Sequence, residues 1–165
     1  MFDQCNAKGG YVFTDETGST CVNKSVCFSS EPKGYIYAAA GKCSILEPDP
    51  NGHLNMQDDV YTCGDEYPFL DLTGNTAKCV AEEECVDPNY VYNEGGVKMC
   101  LLAAQCAWYK GYCLDTDSNK CITSAECVQT PDHITYDSDD GSERLCVTRD
   151  KCPDKGYELR IQCLT

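Results

Sequence analysis

The chain has no long apolar segment and few aliphatic residues. Leu, Ile, Val and Phe together number 29 of 165 residues, and the formal net charge is −14. Without covalent cross-links, such a composition is typical of disordered chains, because too little apolar surface is available for burial. No run approaches the roughly 18 apolar residues of a membrane-spanning helix, so we expect no direct membrane insertion.

Basic residues and histidines are also scarce. Thirteen Lys and Arg stand against 27 Asp and Glu, and there are two His. This acidic balance repels nucleic acids, so nucleic-acid binding is disfavoured. The histidines, His53 and His133, lie in different segments, and neither accompanies a Cys or Ser arrangement that indicates a nucleophile. We therefore expect no enzymatic activity.

Cysteine, in contrast, is abundant: the chain has fifteen. This number is typical of a disulfide scaffold in an oxidising compartment, and it predicts an extracellular or cell-surface protein. The N-terminal segment Met1-Phe-Asp-Gln-Cys5 lacks the basic and apolar regions of a signal peptide. We expect the signal peptide to lie outside this chain, which is then a plain domain, a window of a longer array, or a subunit that stacks head to tail.

The cysteines define an internal repeat. Five times a cysteine is followed by five other residues and a second cysteine, as in Cys21/Cys27 and Cys146/Cys152. The repeats start near Cys5, Cys27, Cys63, Cys85, Cys106, Cys127 and Cys152. Residues 1–165 are therefore predicted to form one continuous cysteine-rich array.

Each repeat also carries two large apolar residues at positions i and i+2 soon after its first cysteine. The pairs are Tyr11/Phe13, Tyr35/Tyr37, Tyr67/Phe69, Tyr90/Tyr92, Tyr112/Leu114, Ile134/Tyr136 and Tyr157/Leu159. A spacing of two places both side chains on one face of a strand, and turn-forming residues follow in most repeats. We therefore predict a small, disulfide-rich, mainly β fold, a tandem array of about seven stapled β-hairpins that forms an elongated rod.

Two disulfide patterns agree with this register. Pairing within repeats gives Cys5–Cys21, Cys27–Cys43, Cys63–Cys79, Cys85–Cys100, Cys106–Cys121, Cys127–Cys146 and Cys152–Cys163. The alternative joins each repeat to the next, beginning with Cys21–Cys27, and leaves Cys5 and Cys163 unpaired. Cysteine spacing alone does not decide connectivity; pairing within repeats is our hypothesis.

Two kinds of segment depart from this pattern. Residues 44–62 are rich in Pro, Asp and Gly, which predicts an exposed insertion loop. Helix is only a minor alternative, at Leu101–Gln105 and Ala38–Ala40, because neither run is long enough to be stable alone.

One cysteine opens each unit, a Gly-Tyr strand such as Gly10-Tyr11 follows, and an apolar residue comes after most closing cysteines. In these features the chain resembles EGF-like and furin-like cysteine-rich repeats, and the segment Cys146–Tyr157 is most similar to high-cysteine surface proteins of protists. The resemblance implies a surface coat, an adhesin or an extracellular fibre without catalysis.

Cys113 is left over when the other fourteen cysteines are paired. An odd cysteine in a secreted protein indicates a free thiol or an inter-chain bridge. If Tyr112 and Leu114 face the core, the Cys113 sulfur points to the opposite, outer face of the strand. The alternative is a buried free cysteine that packs as a small apolar residue.

The residues that match Cys113 in other repeats form a row on the same predicted outer face. They are Val12, Ile36, Pro68, Val91, Thr135 and Glu158. Four of the six are apolar, so this row is predicted to be an interface.

We expect no cofactor and no metal, and the alternative is calcium. Asp115, Asp117, Asn119 and Glu126 match ligand positions of an EF-hand loop, although Lys120 replaces the required Gly. Separately, Asn23-Lys-Ser25 is an N-glycosylation sequence, which predicts a glycan on Asn23.

The leading functional hypothesis is a structural or adhesive extracellular module, a subunit of a surface coat or filament. It would act by self-association or by contact with other surface proteins and glycans, through exposed aromatics such as Trp108 and Tyr109. The alternatives are a carbohydrate-binding module similar to chitin-binding domains and a secreted protease inhibitor.

Overall fold

The computed structural model describes residues 2–107, 111–137 and 144–151, and β-strands dominate there. The strands are β1 (Tyr11–Asp15), β2 (Gly18–Val22), β3 (Tyr35–Tyr37), β4 (Lys42–Ser44), β5 (Glu47–Pro48), β6 (Leu54–Gln57), β7 (Val60–Cys63), β8 (Phe69–Asp71), β9 (Thr76–Val80), β10 (Asn89–Glu94), β11 (Val97–Leu102), β12 (Tyr112–Asp115), β13 (Lys120–Thr123), β14 (His133–Asp137) and β15 (Arg144–Thr148). The α-helices are α1 (Phe2–Ala7), α2 (Lys24–Ser29), α3 (Ala103–Ala107) and α4 (Ser124–Gln129), and 3-10 turns lie at Ala38–Ala40, Glu82–Glu84 and Arg149–Lys151. The predicted small, disulfide-rich, mainly β fold is confirmed.

The chain folds as two compact units, where the sequence predicts one continuous array. Unit 1 comprises Met1–Glu82 and Glu94–Lys98, and unit 2 comprises Glu83–Asn93 and Met99–Thr165. In unit 1 one sheet has the strand order β2-β1-β4-β3-β7-β6, and β8, β9 and β5 lie side by side in that order. In unit 2 the order is β14-β15-β12-β13-β10-β11.

The sheets are built from antiparallel hairpins, most of which carry a disulfide. The six bonds are Cys5–Cys21, Cys27–Cys43, Cys63–Cys79, Cys85–Cys100, Cys106–Cys121 and Cys127–Cys146. Each joins a residue that precedes a hairpin to the second strand of that hairpin, as when Cys27 of α2 bonds Cys43 of β4. In a chain-entropy model, closing a loop of about fifteen residues stabilises a fold by roughly 3 kcal/mol. Cys152 and Cys163 lie outside the described residues.

Parallel pairing joins successive hairpins. In unit 1, β1 pairs with β4 through Val12 and Lys42, and β3 pairs with β7 through Ile36 and Val60. In unit 2, β10 pairs with β13, and β12 pairs with β15. At all four junctions the first strand of one hairpin meets the second strand of the next. Each hairpin therefore offers a pairing edge on both of its sides.

The cores are small and rich in sulfur. In unit 1, the fully buried Ile36 packs against Cys27 and Cys43, whose disulfide takes the place of larger apolar side chains. Gly34, two residues before Ile36, lies so close to this bond that a Cβ would sit 2.3 Å from the Cys27 carbonyl oxygen and 2.8 Å from the Cys27 Sγ. The glycine of this Gly-Tyr pair therefore makes room for the disulfide.

The segment 44–62 corrects the sequence prediction, which was an exposed loop. It contains β5, β6 and most of β7, and Gln57 pairs with Val60 across the two-residue turn Asp58–Asp59. Both turn residues have positive φ, 50° and 60°, as a tight type I′ hairpin turn requires. The Asp pair thus closes a hairpin, and Tyr61 is 1% exposed at its base.

Helix forms in both runs that the sequence offers as a minor alternative, as a 3-10 turn at Ala38–Ala40 and as α3, which overlaps Leu101–Gln105. The helices α2 and α4, which the sequence does not predict, begin in two other linkers between cysteines. Asn23 caps α2 by accepting a hydrogen bond from the Val26 amide at 2.8 Å. Thr123 and Glu126 form a reciprocal capping box at the start of α4. These caps and the adjacent disulfides stabilise helices that are too short to persist alone.

Candidate functional site

The most concentrated group of reactive atoms is a set of three sulfurs in unit 2, here called the sulfur cluster. It consists of the Cys113 thiol and the Cys127–Cys146 disulfide. Each Sγ lies within 4.8 Å of the other two. The residues are 0%, 0% and 1% exposed, so a free thiol lies against a disulfide with no access for solvent.

Three elements position the sulfur cluster. Cys113 lies on β12, opposite Ile122 of β13, and Cys127 lies on α4. Cys146 lies on β15, which pairs in parallel with β12 and faces Asp115 there. Because strands β12 and β15 belong to successive hairpins, the thiol of one hairpin packs on the disulfide of the next.

The prediction that the Cys113 sulfur points outward is wrong. That prediction assumed that Tyr112 is the first residue of the strand to face the core. In the structure Cys113 takes that place: it pairs with Ile122, just as Ile134 pairs with Val147 in the next hairpin. A slip of one residue in register moves every side chain to the other face of a strand.

The predicted outer row of apolar residues is also wrong where the structure describes it. Val12 is 2% exposed, Ile36 is fully buried and Val91 is 7% exposed, so all three belong to the cores. Pro68 and Thr135 are half-buried, and Glu158 lies outside the described residues. Val12, Ile36 and Val91 are therefore excluded from any surface interface.

Burial also controls the chemistry of the thiol. It raises the pKa of Cys113 to about 11, chiefly through loss of solvation. The Ser124 hydroxyl opposes this rise, although its oxygen makes no hydrogen bond of ordinary geometry. The thiol is therefore protonated at neutral pH, and its nucleophilic thiolate form is rare.

The four residues proposed as calcium ligands do not come together. The Asn119 side chain donates hydrogen bonds to the backbone carbonyls of Cys85 and Asn89, at 3.1 and 2.7 Å. The Glu126 carboxylate is engaged by Thr123 in the capping box of α4. Glu126 is thus used within the fold and is not part of the group that Asp115 and Asp117 form, so the four residues do not make an EF-hand site.

The other two proposed ligands meet a histidine instead. One donor atom each of Asp115, Asp117 and His133 lies within 4.8 Å of the others, and His133 Nε2 is 3.9 Å from an Asp117 carboxylate oxygen. His133 Nδ1 lies 2.9 Å from the Pro131 carbonyl oxygen, which can only accept, so Nδ1 carries the proton of this hydrogen bond. An imidazole with carboxylates is a zinc-type donor set, whereas calcium takes oxygen ligands. The sequence did not reveal this trio because His133 lies on a different hairpin.

The predicted glycosylation site lies at the surface of unit 1. Asn23 is exposed, and its Oδ1 caps α2 while glycans attach to the amide nitrogen. The two roles use different atoms of the side chain, so capping and glycosylation are compatible. Trp108 and Tyr109, the predicted contact aromatics, lie outside the described residues.

Comparisons with known proteins give no relative: no family model, no curated protein and no solved structure matches the chain. The six disulfides identify a cysteine-rich protein and indicate an oxidising, extracellular setting. Among the described residues, no helix has the length and apolar content to cross a bilayer.

Proposed function

We propose that the chain is an extracellular structural or adhesive module, a subunit of a coat or filament that acts by contact and not by catalysis. The partner is a second copy of the chain. The observation that carries the proposal is the parallel pairing between successive hairpins, because the same pairing between molecules would extend the sheet of unit 1.

The sheet of unit 1 ends in an edge suited to this pairing. Among the described residues, β2 is an end strand of its sheet and pairs only with β1. It is the second strand of its hairpin, which is the type that accepts the first strand of a neighbouring hairpin at the internal junctions. A first strand from a second copy would therefore complete the pattern.

The composition of β2 supports this role. Edge strands are usually protected from pairing by charged residues, proline or bulges. The sequence Gly18-Ser-Thr-Cys-Val22 has no charged residue and no proline, and three of its five residues are exposed. Its backbone is thus open to strand addition.

The net charge sets the condition for assembly. With a formal charge of −14, copies of the chain repel one another at long range. Salt screens this repulsion, with a Debye length of about 8 Å at physiological ionic strength. We therefore expect association to strengthen as salt rises, and light scattering between 20 and 500 mM NaCl measures it.

Proline substitution tests the edge directly. In an antiparallel ladder, neighbouring residues alternate between amides that face the partner strand and amides that face away. Ser19→Pro and Thr20→Pro change neighbouring residues of β2. One of them, the outward variant, removes an amide that faces away from β1, so the pairing of β1 with β2 stays intact. The other removes an amide that bonds to β1 and disrupts that pairing. Circular dichroism and the unfolding midpoint identify the first variant.

The outward variant should stay folded but remain monomeric in sedimentation and show no regular assemblies in electron micrographs. Wild-type association in that variant would refute the edge as the contact. A wild-type protein that stays monomeric at every salt concentration would refute self-assembly itself. The resemblance to EGF-like and furin-like surface repeats is part of the same proposal, and the recurring staple and hairpin support it.

A further inference from the structure

We propose that Cys113 is an internal nucleophile for the Cys127–Cys146 disulfide, so that this one bond exchanges within the folded protein. The inference goes beyond assembly and does not depend on it. It rests on the geometry of the sulfur cluster, in which a free thiol and both sulfurs of a disulfide lie within 4.8 Å of one another.

The sulfur cluster is set apart from the other described disulfides. Cys113 is the free cysteine of the described residues, and it lies against this bond. All three cysteines are buried, and the half-buried Ile122 packs against them. Cys106–Cys121, in the hairpin that contains Cys113, is the matched comparison, because Cys121 faces Leu114 across the sheet.

The exchange step is balanced without any other reagent. The Cys113 thiolate attacks Sγ of Cys127 or of Cys146, and a new S–S bond forms as the old one breaks. The departing sulfur takes the electron pair of the broken bond and then the proton that Cys113 released. One disulfide and one thiol are present before and after, so no oxidant or reductant is consumed.

Burial determines when the step occurs. Because the pKa of Cys113 is about 11, only ~0.1% or less of the thiol is ionised below pH 8. The thiolate fraction, and with it the exchange rate, should rise about tenfold per pH unit until the pH approaches that pKa. The bond is thus long-lived at neutral pH and exchanges faster in alkali.

Exchange would transfer the free thiol to α4 or to β15. Cys127 and Cys146 fasten α4 to the second strand of the β14–β15 hairpin. Once Cys113 has bonded one of them, that fastening is replaced by a bond to β12. The hairpin β14–β15 then keeps its hydrogen bonds but loses its own staple, which is a local change of cross-linking and not a loss of fold.

Alkylation after incubation of the native protein tests this step. The protein is incubated at pH 7 to 10, brought to pH 6 in urea with excess N-ethylmaleimide so that buried thiols react, and digested with trypsin without reduction. Cleavage after Lys110, Lys120, Arg144 and Arg149 places Cys113 in residues 111–120 and Cys146 in 145–149. Cys127 falls in residues 121–144 together with Cys121, and fragmentation of that peptide locates the label. We expect the label on Cys127 or Cys146, and peptide 111–120 linked to the peptide that carries the other one.

Two results would overturn the proposal. They are a label confined to Cys113 after incubation at pH 10, and a transfer of the label away from Cys113 whose rate depends on protein concentration, which indicates exchange between molecules. In the Cys113→Ala variant the label on Cys127 and Cys146 should vanish, while Cys106 and Cys121 should stay unlabelled in both proteins. The wild-type peptide map decides the matter even if that variant folds poorly.

Discussion

Replacement of Lys42 by methionine should remove a pH-dependent penalty from the stability of the protein. Lys42 is 9% exposed and lies on β4, where its register partners are Val12 of β1 and Tyr37 of β3, both buried. Burial lowers the pKa of its amine from 10.5 to about 8. The folded state therefore carries an ionised amine at neutral pH in a site that disfavours the charge.

The expected size of the effect follows from this pKa difference. Between 10.5 and about 8 it amounts to about 3 kcal/mol, at 1.36 kcal/mol per pH unit. The full penalty applies below about pH 8. Between pH 8 and 10.5 the unfolded chain binds more protons at this site than the folded chain does, so this contribution to stability rises with pH. Methionine has a similar volume and carries no charge, so Lys42→Met lacks both the penalty and its pH dependence.

Urea unfolding at pH 6, 8, 9 and 10 measures the difference, with both proteins in a Cys113→Ala background so that this thiol cannot exchange with a disulfide. Subtraction removes the titration of the tyrosines, which the two proteins share. We expect the stability difference, variant minus wild type, to fall by about 3 kcal/mol between pH 6 and pH 10.5. A difference that does not change with pH would refute the reasoning.

Gly34→Ala should destabilise the protein by roughly 1–3 kcal/mol, because its Cβ would lie 2.3 Å from the Cys27 carbonyl oxygen. Gly74→Ala, which meets nothing within 4 Å, should be nearly neutral in the same thermal unfolding experiment, and equal losses would contradict this explanation. Thr123→Ala should cost about 1 kcal/mol by removing the cap of α4, whereas Thr123→Ser should retain most of it in urea unfolding. Ser25→Ala removes the glycosylation sequence but keeps the Asn23 cap, so in protein secreted from eukaryotic cells the mass should fall by one glycan. An unchanged mass would show that Asn23 carries no glycan.

The fold class could be predicted because disulfide density and strand periodicity are properties of the sequence itself. The composition of residues 44–62 does not predict a hairpin, because Asp58-Asp59 is typical of exposed loops and also of two-residue turns, in which Asp can adopt a positive φ. Likewise, Thr123-Ser-Ala-Glu126 has the spacing of a capping box, while Glu126 also matches a ligand position of an EF-hand loop, so the sequence favours two roles for the same carboxylate.

The candidate site could be predicted only in part, because it depends on register and on contacts between hairpins. Cys113 was identified as the odd cysteine, but its face follows from its pairing with Ile122. One local signal was present: Cys113 and Ile134 each lie seven residues after the cysteine that opens their repeat. The approach of His133 to Asp115 and Asp117 has no such signal, since it depends on how two hairpins pack.

The parallel junctions between hairpins allow the length of the protein to change in whole steps. Hairpin β6–β7 has no disulfide that joins its own two ends, yet β3 pairs with β7 as β1 pairs with β4. Such a junction therefore requires a second strand that runs parallel to the first strand of the neighbouring hairpin, and it does not require a disulfide within the hairpin. Duplication, deletion or grafting of one hairpin within the sheet of either unit should therefore leave both neighbouring hairpins with a partner strand, which would allow engineering by modular exchange.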